Sequence, residues 1–261
     1  MLLEQKTAVI YGAAGAIGGA VSRAFAREGA RVFLAGHTRA PLEALAQEIS
    51  QAGGVAEAAH VDALDAPSIE EHLHAVVEKT GGIDIAFNAI SISYTQGTPL
   101  VNVSLETFSL GLAEAMKTQF LTSTAAARHM QKRGSGVLLT ITATPARELI
   151  PNSGNFGIGC AAIERLCQQL ACELGPQGIR VICLRSAGSP DALRMEGAIH
   201  VLAERAEVSP EAFEASLGER TLLKRMPRLA EVAEMAVLMA SDRASAMTGA
   251  VANVTCGETA D

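Results

Sequence analysis

Val9-Ile10-Tyr11-Gly12-Ala13-Ala14-Gly15-Ala16-Ile17-Gly18 is the stretch that decides the fold. A short apolar run, Thr7–Tyr11, stops at Gly12, and a helical pattern starts within a few residues. Gly12 permits the tight turn. The small residues Ala14, Gly15 and Ala16, with Ile17 beside them, let backbone N–H groups approach a pyrophosphate at the helix N-terminus. Gly18 allows the helix to pack closely on the strand. A glycine-rich turn alone is a weak signal, and its place after the first strand of an alternating chain is what strengthens it.

The alternation continues almost to the end. Thr7–Tyr11, Arg31–Ala35, Val55–Val61, Ile83–Asn88, Val137–Thr142, Arg180–Leu184 and Ala250–Val254 read as strands. Gly18–Glu28, Pro41–Gln51, Ser68–Thr80, Leu105–Arg133, Asn155–Leu174 and Ala230–Ala240 read as helices. The strand runs are mostly unbroken apolar, as strands covered on both faces require. The pattern predicts one doubly wound α/β domain of the Rossmann type, a seven-stranded parallel sheet between helical layers. Ser189–Arg220 stands apart as a longer insertion with its own helical pattern, expected to form a lid over a pocket.

Composition sets the outer limits. Of 261 residues, 49% are hydrophobic and 3% aromatic, so the core is built from aliphatic side chains. The formal net charge of −7 argues against a nucleic-acid backbone as partner. Five cysteines form no CxxC pair and lie in apolar runs, which reads as buried thiols in a reducing compartment. With no signal-peptide pattern and no membrane-spanning run, a cytoplasmic protein is expected. No metal site is expected, His72 and His74 being two apart on a helix and facing different ways.

The second strand ends Ala35-Gly36-His37-Thr38-Arg39. An acidic residue there would hold the adenosine ribose 2′-hydroxyl. Gly36 instead leaves room, and Arg39 with His37 is placed to face a 2′-phosphate. NADP(H) is therefore favoured over NAD(H), unless Arg39 is a solvated residue opening the next helix. Asp62, after the third strand, would accept from the adenine amino group or else cap a turn.

From these residues the chain resembles the short-chain dehydrogenase/reductase family nearly end to end, and most of all its beta-ketoacyl carrier-protein reductases. Gly12–Gly18 is similar to the family's TGxxxGxG, with Tyr11 for Thr and Ala16 for the middle Gly. Asp62 matches the adenine-binding Asp. Asn88-Ala89 opens an Asn-Ala-Gly motif whose Gly is Ile90 here. Ala240–Gly249 matches the segment before the last strand.

The resemblance implies a hydride transfer between a nicotinamide and a carbonyl or alcohol, with an Asn-Ser-Tyr-Lys tetrad. It also implies a homodimer or homotetramer, or a mixed oligomer with an active relative. On that pattern Phe156 stands for Tyr, Cys160 for Lys, Ala143 for Ser and Ala115 for Asn. The chain's two tyrosines, Tyr11 and Tyr94, are followed four residues on by Gly15 and Thr98, so neither makes YxxxK. The wider spacing of the enoyl-reductase branch fails too, at Val101. Asp191 falls near the family's carboxamide-binding Thr.

Substitutes are few. Cys160 lies on an apolar stripe with Phe156, Ile163, Cys167, Leu170 and Leu174, which reads as packing. Strand alternation turns Thr142 and Thr144 away from the face of Ala143. Tyr94, in a loop on the cofactor side, is the one phenol within reach of the pocket. His200 in the lid and Lys117 read as surface residues. Two functions remain expected. One is an NADP(H)-dependent oxidoreductase with a non-family proton donor and an unknown small-molecule substrate. The other is a catalytically silent nucleotide-binding or structural subunit.

Overall fold

The computed structural model describes every residue except Ile92, Ser93, Tyr94, Gln96, Glu196 and Asp261. Seven strands form one parallel sheet in the order β3-β2-β1-β4-β5-β6-β7. They are β1 (Thr7–Tyr11), β2 (Arg31–Gly36), β3 (Val55–His60), β4 (Ile85–Asn88), β5 (Gly136–Ala143), β6 (Ile179–Ser186) and β7 (Val251–Val254). The chain turns back between β1 and β4, which pair directly with Tyr11 opposite Asn88. Such a reversal opens a crevice at the carboxyl ends of the strands.

The period-two alternation of each strand divides the core between the two faces. Ile10, Leu34, Phe87, Leu139 and Leu184 meet α1 (Ala16–Arg27), α2 (Arg39–Gln51) and α9 (Leu229–Ala240) on one side. Val9, Phe33, Ala86, Leu138 and Val181 meet α3 (Ala66–Thr80), α4 (Leu105–Gln131) and α5 (Phe156–Leu174) on the other. Three short helices, α6 (Pro190–Met195), α7 (Ala198–Arg205) and α8 (Pro210–Glu219), occupy the stretch expected as a lid. None of the described helices is long and apolar enough to cross a membrane.

Element boundaries differ from expectation where local chemistry decides them. Helix α2 begins at Arg39, ahead of Pro41, because the first four N–H groups of a helix have no intrahelical partner and a proline there forfeits none. Helix α1 begins at Ala16, with Gly15 as its N-cap residue. Strand β5 runs to Ala143, so Thr144 opens a 3₁₀ turn and escapes the strand's alternation. Strand β4 starts two residues late, at Ile85, although Ile83 is already fully buried.

Candidate active site

The crevice holds a cavity of about 880 Å³ at the carboxyl ends of β1 to β5. Its floor is the glycine turn. Gly12 has φ +74°, and a Cβ there would lie 2.7 Å from the Ala89 carbonyl oxygen. A Cβ on Gly18 would lie 2.2 Å from the Gly12 carbonyl oxygen, so α1 reaches the turn only because both are glycine. Gly12, Ala14, Gly15, Ala16 and Ile17 line the cavity, while Gly18 packs beneath it. The N-terminus of α1 carries no side-chain cap and no acidic residue in its first turn. Its unpaired N–H groups and positive dipole end therefore face the cavity.

At one rim, Gly36, His37 and Thr38 line the wall. A Cβ on Gly36 would make ordinary contacts at 3.6 and 3.7 Å with Leu42, so the position has space. Arg39 is exposed, with its Nε 3.9 Å from Glu43, and it lies outside the lining. His37 Nε2 lies 3.7 Å from Asp62 Oδ1. That oxygen also accepts from the Leu64 N–H at 2.8 Å, so Asp62 caps its own turn. Asn88 is buried and has structural work. Its Nδ2 donates to Thr122 Oγ1 at 2.9 Å and its Oδ1 accepts from the Ile90 N–H at 3.0 Å. Ala89 and Ile90 line the cavity beside Gly12.

On the other wall the structure brings three of the four tetrad positions together, with Ala143, Phe156 and Cys160 all lining the cavity. Cys160 is 2% exposed. Burial pushes its thiol up to about 11, and a hydrogen bond from the Ala143 backbone offsets this only in part. A thiol in that state is protonated at neutral pH and is no nucleophile. Ala115 is fully buried in α4 and does not line the cavity; Gln119, one turn later, does, and its Oε1 accepts from Thr140 at 2.9 Å. Tyr94 lies outside the described residues. His200 and Lys117 are exposed.

Sequence reasoning turns Thr142 and Thr144 away from the site and passes over Glu258, Arg220 and Glu148. Both threonines line the cavity, Thr144 because β5 has ended before it. Glu258, from the tail after β7, lines the same cavity with its side chain 5% exposed. Arg220 Nη2 reaches both Glu258 Oε1 and Glu148 Oε2 at 3.0 Å. Asp191 does not enter the cavity lining; its carboxylate accepts from the Leu229 N–H at 2.9 Å and caps α9. Behind Cys160, Glu164 is held by the fully buried Arg185 through two contacts of 2.8 Å, and Thr142 donates to it at 3.0 Å. That carboxylate is committed to its pair.

A single domain with a glycine-cradled crevice at a topological switch point has the architecture of the nucleotide-binding proteins of the Rossmann class. A family model described as enoyl-(acyl carrier protein) reductase matches residues 12–259, and the chain belongs to this short-chain dehydrogenase/reductase family. L-rhamnose 1-dehydrogenase (NAD(P)(+)) of Azotobacter vinelandii is 30% identical over 256 residues, covering 96% of this chain and 95% of that one. The 7alpha-hydroxysteroid dehydrogenase of Escherichia coli is 27% identical, covering 98% and 94%. Among solved structures, a short-chain type dehydrogenase/reductase from Mycobacterium marinum superposes with a TM-score of 0.83 at 27% identity, covering 99% and 97%. A NAD+-bound xylitol dehydrogenase gives 0.87 at 20% identity, covering 98% and 100%, a likeness of fold alone.

Proposed function

We propose that the protein is an NADP(H)-dependent oxidoreductase acting on a carbonyl or alcohol, with a site that works without the Asn-Ser-Tyr-Lys tetrad. The observation that carries the cofactor reading is the end of β2, where Gly36 leaves space and occupies the position at which an acidic residue would hold a ribose 2′-hydroxyl. The residues present fit a dinucleotide. Gly12, Ala14, Gly15, Ala16 and Ile17, with the N-terminus of α1, would hold the pyrophosphate. Asp62 would meet the adenine, Arg39 and His37 the 2′-phosphate, and Asn88-Ala89 would shape the floor. The bound nucleotide supplies two-electron reducing power, and the wall of Ala143, Phe156 and Cys160 orients the substrate.

The apolar side chains Leu193, Val201, Leu202, Phe213 and Leu217 support a lid role for residues 189–220, since all five line the cavity. Exposed Leu105, Leu110 and Phe120 on α4 and Ile158 on α5 support self-association through those helices. A second reading, a silent nucleotide-binding or structural subunit, is favoured by one observation. Phe156, Ala143 and Ala115 carry no ionisable group, and burial raises the Cys160 thiol to about 11, which makes it a weak acid.

Calorimetric titration tests the cofactor. NADPH is expected to bind at least ~10-fold more tightly than NADH, and Arg39→Ala to cost NADPH ~10-fold or more while leaving NADH unchanged. Equal affinities would remove the NADP(H) preference. Turnover of carbonyls by the unaltered protein would exclude the silent subunit. Turnover only in the triple variant Phe156→Tyr, Cys160→Lys, Ala143→Ser would establish it.

A further inference from the structure

We propose that Glu258 is the proton donor of this site, supplying to a carbonyl oxygen the proton that Phe156 cannot give. The inference rests on the oxidoreductase reading above. Among the described residues lining the cavity, Glu258 is the one carboxylate, and it shares that cavity with Ala143, Phe156 and Cys160. Thr144, whose hydroxyl favours the ionised Glu258 carboxyl, lines the same cavity and directly follows Ala143 in the chain. The carboxyl group thus shares its cavity with the strand end where the resemblance puts the substrate-polarising hydroxyl.

The tail that carries Glu258 is fixed. Asn253 Nδ2 donates to the Thr259 carbonyl at 2.9 Å, and the Glu258 N–H donates to the Thr255 carbonyl at 3.1 Å. Gly257, at φ +81°, admits the turn, and a Cβ there would lie 2.7 Å from Leu222. A donor on a turn held this way needs little reorganisation to act.

A general acid is served by a pKa shifted toward the operating pH. Burial pushes the Glu258 carboxyl above the usual glutamate range, opposed by Arg220 and reinforced by Glu148. Arg220 divides its charge between the two carboxylates and is itself 46% exposed. Once the proton leaves, Arg220 and the Thr144 hydroxyl remain to stabilise the anion.

A bound reduced nicotinamide would supply the hydride to the carbonyl carbon and be oxidised by it. The O–H bond of Glu258 breaks as the O–H bond of the product alcohol forms, and water restores the proton afterwards. Ile150, Leu193, Val201, Phe213, Leu217 and Met226 line the same cavity. The substrate class is therefore an uncharged, largely apolar aldehyde or ketone. A carboxylate substrate would meet Glu258, whose cation Arg220 is already shared with Glu148.

The test compares the full-length protein with Glu258→Gln and Glu258→Asp in three readouts. These are NADPH affinity, the titration of the Glu258 carboxyl by ¹³C NMR, and reduction of a panel of apolar aldehydes and ketones. Glu258→Gln should keep the NADPH Kd and the melting midpoint and lose ~100-fold or more in kcat. The Glu258 signal should titrate above the ordinary glutamate value. Glu258→Asp, the variant that keeps an acid, should retain part of the rate with a displaced pH profile. An unchanged rate in Glu258→Gln, or a carboxyl ionised within the ordinary range, overturns the proposal. So does a wild type that holds NADPH and reduces none of the panel. Failure of NADPH to bind would instead defeat the oxidoreductase reading, with the carboxyl titration still legible.

Discussion

An added methyl group at Gly18 would sit 2.2 Å from one backbone atom of Gly12 and 2.8 Å from another, with no side chain able to move aside. At Gly36 the same methyl would meet only the Leu42 methyl groups, at 3.6 and 3.7 Å. Two glycines of one crevice thus differ, Gly18 being obliged by the backbone and Gly36 by no protein atom, which leaves it to the proposed ligand. Gly18→Ala should destabilise the protein by about 1–3 kcal/mol, the usual cost of overpacking a rigid contact. Gly36→Ala should stay within about 0.5 kcal/mol of the wild type. Urea unfolding of both variants measures this, and comparable losses would contradict the assignment of Gly18 to packing. Asp62 shows a similar division of duties. Its Oδ1 is already engaged by the Leu64 N–H at 2.8 Å, so the turn would keep this residue even without a nucleotide.

At the scale of the element, α3 contains a group that ties its docking to pH. Ile69, Leu73 and Val76 bury one face of the helix, and His72 comes in with them. The His72 ring meets Phe33 edge-on at 6.4 Å, and neither ring nitrogen has a partner among the described residues. Burial lowers its pKa from 6.5 to about 4. Between those values the unfolded chain binds the proton and the folded chain does not, so stability falls as the pH drops through this window. By pH 5 the loss comes to about 2 kcal/mol. His72→Phe should remove that part of the slope. Urea midpoints at pH 7 and pH 5 for both proteins would show it, and parallel slopes would refute it. Two residues on, His74 meets His129 of α4 at 5.1 Å, within reach of Glu70. The spacing of His72 and His74 along α3 gives no hint of that second contact, because His129 arrives from another helix.

For the whole molecule, what the sequence made legible is what depends on neighbours along the chain. The Gly12–Gly18 turn, the strand–helix alternation and the stripe from Phe156 to Leu174 are all short-range patterns, and the described structure carries each of them. The contacts it did not reveal join distant segments. Thr144 follows β5, Arg220 ends α8, Glu148 lies ahead of α5 and Glu258 follows β7, yet the four meet at one wall. Asp191, set beside a nicotinamide position by resemblance, turns instead to cap α9 because the fold folds α6 onto that helix end. The same long-range closure governs how the molecule should answer its cofactor. The cavity touches the ends of five strands and both halves of the sheet, so a ligand there binds the folded unit as a whole. NADPH at about one hundred times its Kd should then add about 2.7 kcal/mol to the stability. For a chain of this length that corresponds to a rise of about 5–10 °C in Tm. Calorimetry should show a single transition moving intact, with a smaller rise for NADH at equal concentration. A split transition would mean that the nucleotide stabilises one part alone, and an unmoved one that the crevice does not hold it.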